Sequence, residues 1–199
     1  MKSLHRPDLY AWSIFDEARN VDFHGLCWVR EEGNVLIDPL PMTPHDQAHL
    51  AEVGGVDHIV ITNSDHTRDV EALKERWGAT VYGPRAEMGA FRADKWVGDG
   101  DEIVPGLGVI ELNGSKTPGE LALLLQGTTL ITGDLVRAHR AGALMMLPAA
   151  KLTDPALAAS SIRRLASMPG IEAVLVGDGW QVFSGGALLL QALAGRLGL

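Results

Sequence analysis

The stretch HIVITNSDHTRDV, His58 to Val70, runs an apolar strand-like segment into a turn holding Asn63, Ser64, Asp65 and His66, after which a helical pattern begins. A carboxylate beside an imidazole at the end of a buried strand has two readings. It is part of a chemical site, because rigid scaffolds deliver loop side chains from strand ends, or it caps the helix that follows. Two further turns share this grammar: ITGDLV sets Asp134, and LVGDGW sets Asp178, just beyond apolar runs. Taken singly, each aspartate reads as a turn or N-cap residue. Taken together, the three acids converge on one site or serve three unrelated turns, and spacing alone leaves both open.

The elements that must position them follow from hydrophobic patterning. The N-terminal third reads as strands around Trp12–Phe15, in GLCWV and in NVLIDPL, the last two flanking a turn at Glu31–Asn34. TPHDQAHLAEVGG has helical spacing, with Thr43 as N-cap and Pro44 at the first helical position. DHIVIT is a short β-branched strand. Val70, Leu73 and Trp77 then share one helical face closed by Gly78, and ATVYGP is another strand. EIVPGLGVIEL, GELALLLQ and TTLITGDLV follow one another as antiparallel strands do. TDPALAASSIRRLASM is a helix opened by Asp154 and Pro155, IEAVLVGDG a strand, and Ala187 to about Leu197 an apolar helix. Two facing sheets with helices outside accommodate this order.

The chain of 199 residues is long enough to bury a sizeable core, and no linker or repeat divides it, so one domain over 1–199 is expected. A net charge of −8 argues against nucleic acid or an anionic membrane surface as partner, leaving a small molecule. The lone cysteine, Cys27, forms no internal disulfide and reads as an inert core thiol; a cytoplasmic setting is the default. No apolar run reaches membrane-spanning length.

SDHTRDVEALKERWGATVYGP resembles, without a gap, the segment of the metallo-β-lactamase superfamily that follows its His-x-His-x-Asp-His motif. SKTPGELALLLQGTTLITGDLV resembles its Gly-His-Thr-Pro-Gly segment running into a Gly-Asp strand end. NVLIDPL is similar to its early "LIDTG" strand, and VLVGDGW to its terminal Pro-Gly-His-Gly turn. These matches occur in family order, from about Gly25 to Trp180, and imply an α+β four-layer αββα sandwich.

The same resemblance exposes departures. The motif's two leading histidines fall on Ile61 and Asn63, its Asp-His pair on Asp65 and His66, and the next histidine on Lys116. The bridging aspartate is Asp134, and Asp178 stands where a last histidine would be. The resemblance thus implies loss of the three-histidine metal position. At most one divalent ion (Zn, Mn or Fe) remains, held by Asp65, His66, Asp134 and Asp178. Metal-bound water would act on a small ester, thioester, lactone or phosphoester; Asp65, Lys116 and Asn63 would be the catalytic groups, and Asp38 and Arg68 would support the ligands. β-Lactam hydrolysis is not expected.

The alternative is a non-catalytic, metal-free Lys/Asp charge cluster serving ligand or partner binding. Three carboxylates and Lys116 leave two negative charges in excess. Like charges roughly 4 Å apart at an effective dielectric near 20 repel by about 4 kcal/mol, which a divalent ion, a raised carboxylate pKa, or pairing with Arg68 or Arg137 would relieve. A shifted register, with Asn63 and Asp65 in the histidine positions and Thr67 and Arg68 after them, also favours the metal-free form. His24, His45, His49, His58 and His139 match no ligand position. The apolar ALLLQALAGRLGL is expected to dock on the sandwich or to form a homodimer contact.

Overall fold

The computed structural model describes residues 1–197. Its first sheet holds seven strands in chain order: β1 (Lys2–Ser3), β2 (Leu9–Asp16), β3 (Val21–Trp28), β4 (Val35–Ile37), β5 (His58–Val60), β6 (Thr80–Pro84) and β7 (Lys95–Val97). β1 to β4 pair antiparallel, and β4 to β7 pair parallel. Parallel neighbours need crossovers. They are supplied by α1 (Pro44–Glu52), capped by the Thr43 side chain, and α2 (Val70–Trp77), closed by Gly78 at φ 70°.

The second sheet contains β8 (Leu107–Leu112), β9 (Glu120–Leu125), β10 (Thr129–Thr132) and β13 (Ala173–Val176), in the order β13-β10-β9-β8. Between β10 and β13 come a two-stranded ribbon, β11 (Val136–Arg140) with β12 (Ala143–Met146), and α3 (Pro155–Ala166), capped by Asp154. α4 (Gly186–Arg196) follows β13.

Period-two alternation fixes the layers. Ile37, Val60, Ile131 and Leu175 point between the sheets, where they meet Leu26, Leu107, Leu121 and Leu123. Their neighbours Leu36 and Ile59 point outward into a second apolar layer, closed by Leu50 of α1 and Leu73 of α2. Leu130 and Val174 point outward on the other side, under Ile162 and Leu165 of α3 and Leu190 and Leu193 of α4. Three apolar cores between four layers, two of helix and two of sheet, make an αββα sandwich.

α4 therefore docks on the sandwich, as its composition demands, and it also grips the ribbon: Arg196 donates to the Leu144 carbonyl at 2.6 Å. No helix of the described residues is long and apolar enough to cross a membrane.

Two sequence-based expectations change. TTLITGDLV is not one strand; β10 stops at Thr132 and β11 starts at Val136, because the chain turns at Gly133 and Asp134. Asp65 and His66 do not start α2. They form their own 3-10 turn, Ser64–His66, in which the Asp65 N–H donates to the Asn63 side chain, and α2 begins only at Val70.

Candidate functional site

Strand register brings the acidic turns together. In the parallel pair β10–β13, Thr132 stands opposite Val176. Asp134 and Asp178 each lie two residues further on, after Gly133 and Gly177, so they leave the same sheet edge on the same face. The glycines permit the approach. A Cβ on Gly177 would lie 2.9 Å from the Gly133 carbonyl oxygen, and one on Gly133 would lie 2.6 Å from Thr62 Oγ1. In the other sheet, Ile37 stands opposite Val60, which puts Asp38 beside the Thr62–His66 turn. Asp38 (φ 47°) and Arg68 (φ 22°) both take left-handed backbone conformations, a strain that the surrounding contacts hold in place.

Asp38 is buried and accepts from the Thr62 N–H at 2.8 Å, the Thr62 hydroxyl at 2.6 Å and His66 Nδ1 at 2.8 Å. His66 Nε2 lies 3.4 Å from Asp134 Oδ2. Burial opposes charging of this imidazole, but the Asp38 charge and the hydrogen bonds to Asp134 and Asp38 outweigh it and push its pKa up to about 9. His66 is thus an imidazolium at neutral pH, its Nδ1 donating to Asp38 and its Nε2 facing Asp134 across 3.4 Å.

Asp134 is the hub. Its Oδ2 accepts from Asn63 Nδ2 at 2.9 Å and Lys116 Nζ at 2.9 Å, and its Oδ1 lies 3.5 Å from Arg137. Although burial pulls its pKa upward, bonding to His66 and Lys116 and their charges hold it well below the usual carboxylate range. Lys116 also donates to Asp65 Oδ2 at 2.7 Å. Arg137 reaches from Asp134 to Asp178 Oδ2 at 2.7 Å, and His139 Nε2 meets the same oxygen at 2.7 Å. Arg68 donates to the Asp38 carbonyl at 3.3 Å.

Asp38, Asp65, Asp134 and Asp178 thus face His66, Lys116, Arg137 and Arg68, four anions against four cations. The excess negative charge counted from the sequence disappears once Arg137 and protonated His66 are included.

The residues assigned to the site from the sequence, Asp38, Asn63, Asp65, His66, Arg68, Lys116, Asp134 and Asp178, lie in one contact chain, Asp178 joining it through Arg137. Asn63 is fully buried, and its amide is committed to Asp134 and the Asp65 N–H, so it is not presented to an oxyanion.

Sequence reasoning offered Arg137 as a partner for the acids, and the structure pairs it with Asp134 and Asp178, but it missed His139, Glu120 and Glu87. Arg137 and His139 alternate with buried Val136 and Ala138 along β11, a period-two pattern that marks them as sharing a face. Glu120 accepts from the Ser115 hydroxyl at 2.5 Å and the Leu135 N–H at 2.8 Å; burial and the Asp134 charge push its pKa up to about 7. A glutamate inside the apolar run ELALLL was its signal. Buried Glu87 accepts from the N–H groups of Ser64 (2.7 Å) and Gly119 (3.2 Å), tying the 3-10 turn to the Lys116 loop, and nothing local in the sequence announces it.

The model for the metallo-beta-lactamase superfamily matches residues 1–197. The chain belongs to that superfamily. Its relatives include a hydroxyacylglutathione hydrolase of Brucella anthropi, 32% identical over 117 residues, which are 57% of this chain and 43% of the relative. The match therefore spans less than half the length of that curated relative. The ETHE1 structure from Myxococcus xanthus superposes with a TM-score of 0.72 at 25% identity, over 94% of this chain and 85% of its own. A metallo-beta-lactamase from Pontibacter korlensis superposes at 0.74, with 22% identity, over 95% and 93% of the two chains, a likeness of fold.

Members of this superfamily usually bind zinc or another divalent metal. The donor set here does not fit one. Asp65 Oδ2 and Asp134 Oδ2 meet the Lys116 ammonium, Asp178 Oδ2 meets Arg137 and His139, and both His66 nitrogens meet carboxylates. A metal needs several lone pairs turned to one point. Among the described residues, no three histidine, cysteine, aspartate or glutamate side chains are grouped so as to hold one.

Beside the cluster opens a groove of about 900 Å³, whose lining includes His24, His139, Gly179 and Trp180. Of the buried side-chain polar atoms left without a partner among the described residues, Thr117 Oγ1, Arg137 Nε and Asp178 Oδ1 belong to the cluster or adjoin it.

Proposed function

We propose that this chain is a metal-free, non-hydrolytic member of its superfamily that binds a small molecule in the groove beside Asp178. One observation carries the reading: Lys116 is wedged between Asp65 and Asp134 while Arg137 spans Asp134 and Asp178, so side-chain cations occupy the acid-bearing loops. An ammonium or guanidinium neutralises carboxylates but neither polarises a carbonyl as a Lewis acid nor generates a bound hydroxide. The net charge of −8 favours a small molecule over nucleic acid or an anionic membrane.

The relatives named as hydroxyacylglutathione hydrolases motivate a second reading, a mononuclear hydrolase of esters, thioesters, lactones or phosphoesters. It requires Asp65, His66, Asp134 and Asp178 to give up their present partners to an ion. Elemental analysis of natively purified protein separates the two, followed by melting curves with Zn²⁺, Mn²⁺, Fe²⁺ or a chelator. The proposal expects substoichiometric metal and unshifted melting. Stoichiometric metal that disappears in Asp134→Asn, together with thioester hydrolysis, would overturn it.

A further inference from the structure

The groove has two kinds of wall. Phe15, Trp180 and Phe183 line it and are among the most exposed large apolar side chains of the protein, at 53%, 62% and 45%. Scattered exposed aromatics need no explanation, but three on one concave surface mark a binding face.

The polar wall includes Asp22, His24 and His139. His24 Nε2 lies 2.7 Å from the Gly179 carbonyl, and His139 Nε2 lies 2.7 Å from the Asp178 carboxylate. Both partners are acceptors only, so each Nε2 must carry the proton. With Nε2 donating, the Nδ1 of a neutral His24 ring is an acceptor. For His24 burial reinforces that state, holding the ring below its ordinary pKa. Asp22 is exposed, and its carboxylate has no ion-pair partner among the described residues. Behind His139, Asp178 Oδ1 is a buried acceptor without a donor. The polar groups thus offer lone pairs, and the aromatic faces are electron-rich. Both complement a cation that carries N–H donors. The lining also holds two cations: exposed Lys2 on edge strand β1, and the Met1 ammonium, whose charge is paired with Asp46.

We propose that this groove, walled by Phe15, Trp180 and Phe183 and set with Asp22, His24 and His139, binds a protonated organic amine with an aromatic or other apolar body. The inference rests on the ligand-binding reading above and names its ligand class.

The test is calorimetric titration of the full chain with tryptamine, and with indole-3-acetate and tryptophol as anionic and neutral ligands of matched body. Perturbation of the Trp180 indole N–H resonance locates the binding. Tryptamine should bind saturably, with both comparison ligands at least tenfold weaker. Trp180→Ala and Asp22→Asn, both exposed positions that leave the core intact, should each weaken it about fivefold or more. Indole-3-acetate or tryptophol binding as tightly as tryptamine, no saturable tryptamine binding at millimolar concentration, or affinity unchanged in both variants would overturn the proposal. Metal-free protein that ignores tryptamine removes the amine inference alone; metal-loaded protein that binds tryptamine removes the metal-free reading alone.

Discussion

The charge state of His66 makes a sharp prediction, because its neighbours fix both sign and size. The imidazole is buried between Asp38 and Asp134, and its pKa rises from 6.5 to about 9. A pKa raised by folding contributes stability that is fully present below the unfolded value and is lost as pH rises through the folded one. The gap between 6.5 and about 9 corresponds to about 3 kcal/mol. In a domain of this size that is roughly 6–12 °C in melting temperature. The perturbation is His66→Gln, which keeps a hydrogen-bonding side chain but cannot charge. Wild type and variant should be melted side by side from pH 6 to pH 10. The stability difference between them should be largest near pH 6 and shrink by about 3 kcal/mol as the medium becomes alkaline. Asp38 and Asp134, both held below the ordinary range, stay ionised throughout and add no slope of their own. A difference that is flat with pH, or that widens in alkali, would refute the imidazolium. The widening case is the one expected of a neutral ring giving its lone pair to a metal.

Glu120→Gln should raise stability at pH 8. The native carboxyl, raised to about 7, loses stability as pH climbs from its unfolded value near 4.5, and urea titrations at pH 4.5 and 8 should show that slope vanish in the variant. Gly133→Ala drives a methyl to 2.6 Å from Thr62 Oγ1 and toward Asn63. It should cost about 1–3 kcal/mol by denaturant unfolding, and a neutral substitution there would mean the two loops are farther apart than described.

The layered fold was legible because burial follows period two and 3.6. Leu36 and Ile37, or Leu130 and Ile131, announce opposite faces without any tertiary knowledge. Asp134 and Asp178 were legible for a related reason: each follows a glycine at a strand end. What joins them was legible only as a candidate, Arg137, without the geometry that lets it span both acids. Arg137 reaches Asp178 only because β10 and β13, more than forty residues apart, pair in a register that no local pattern specifies. Reading TTLITGDLV as one strand also hid the turn that aims β11 back at the cluster. Glu87 is the extreme case, since a glutamate in a short surface-like segment becomes a buried staple only through two loops brought to it from elsewhere.

The clasp between Arg196 and the Leu144 carbonyl ties the final helix to the hairpin that carries Arg137 and His139. That hairpin bridges to the Asp178 turn at Ala138 and is held from outside by this helix, so the helix acts as a splint for the guanidinium and imidazole that its first strand carries. Loosening of the splint, by fraying or by removal of its anchoring leucines, would propagate to Asp178 without touching any residue near it. The rigidity of the interior ionic lattice is thereby governed from the periphery of the molecule.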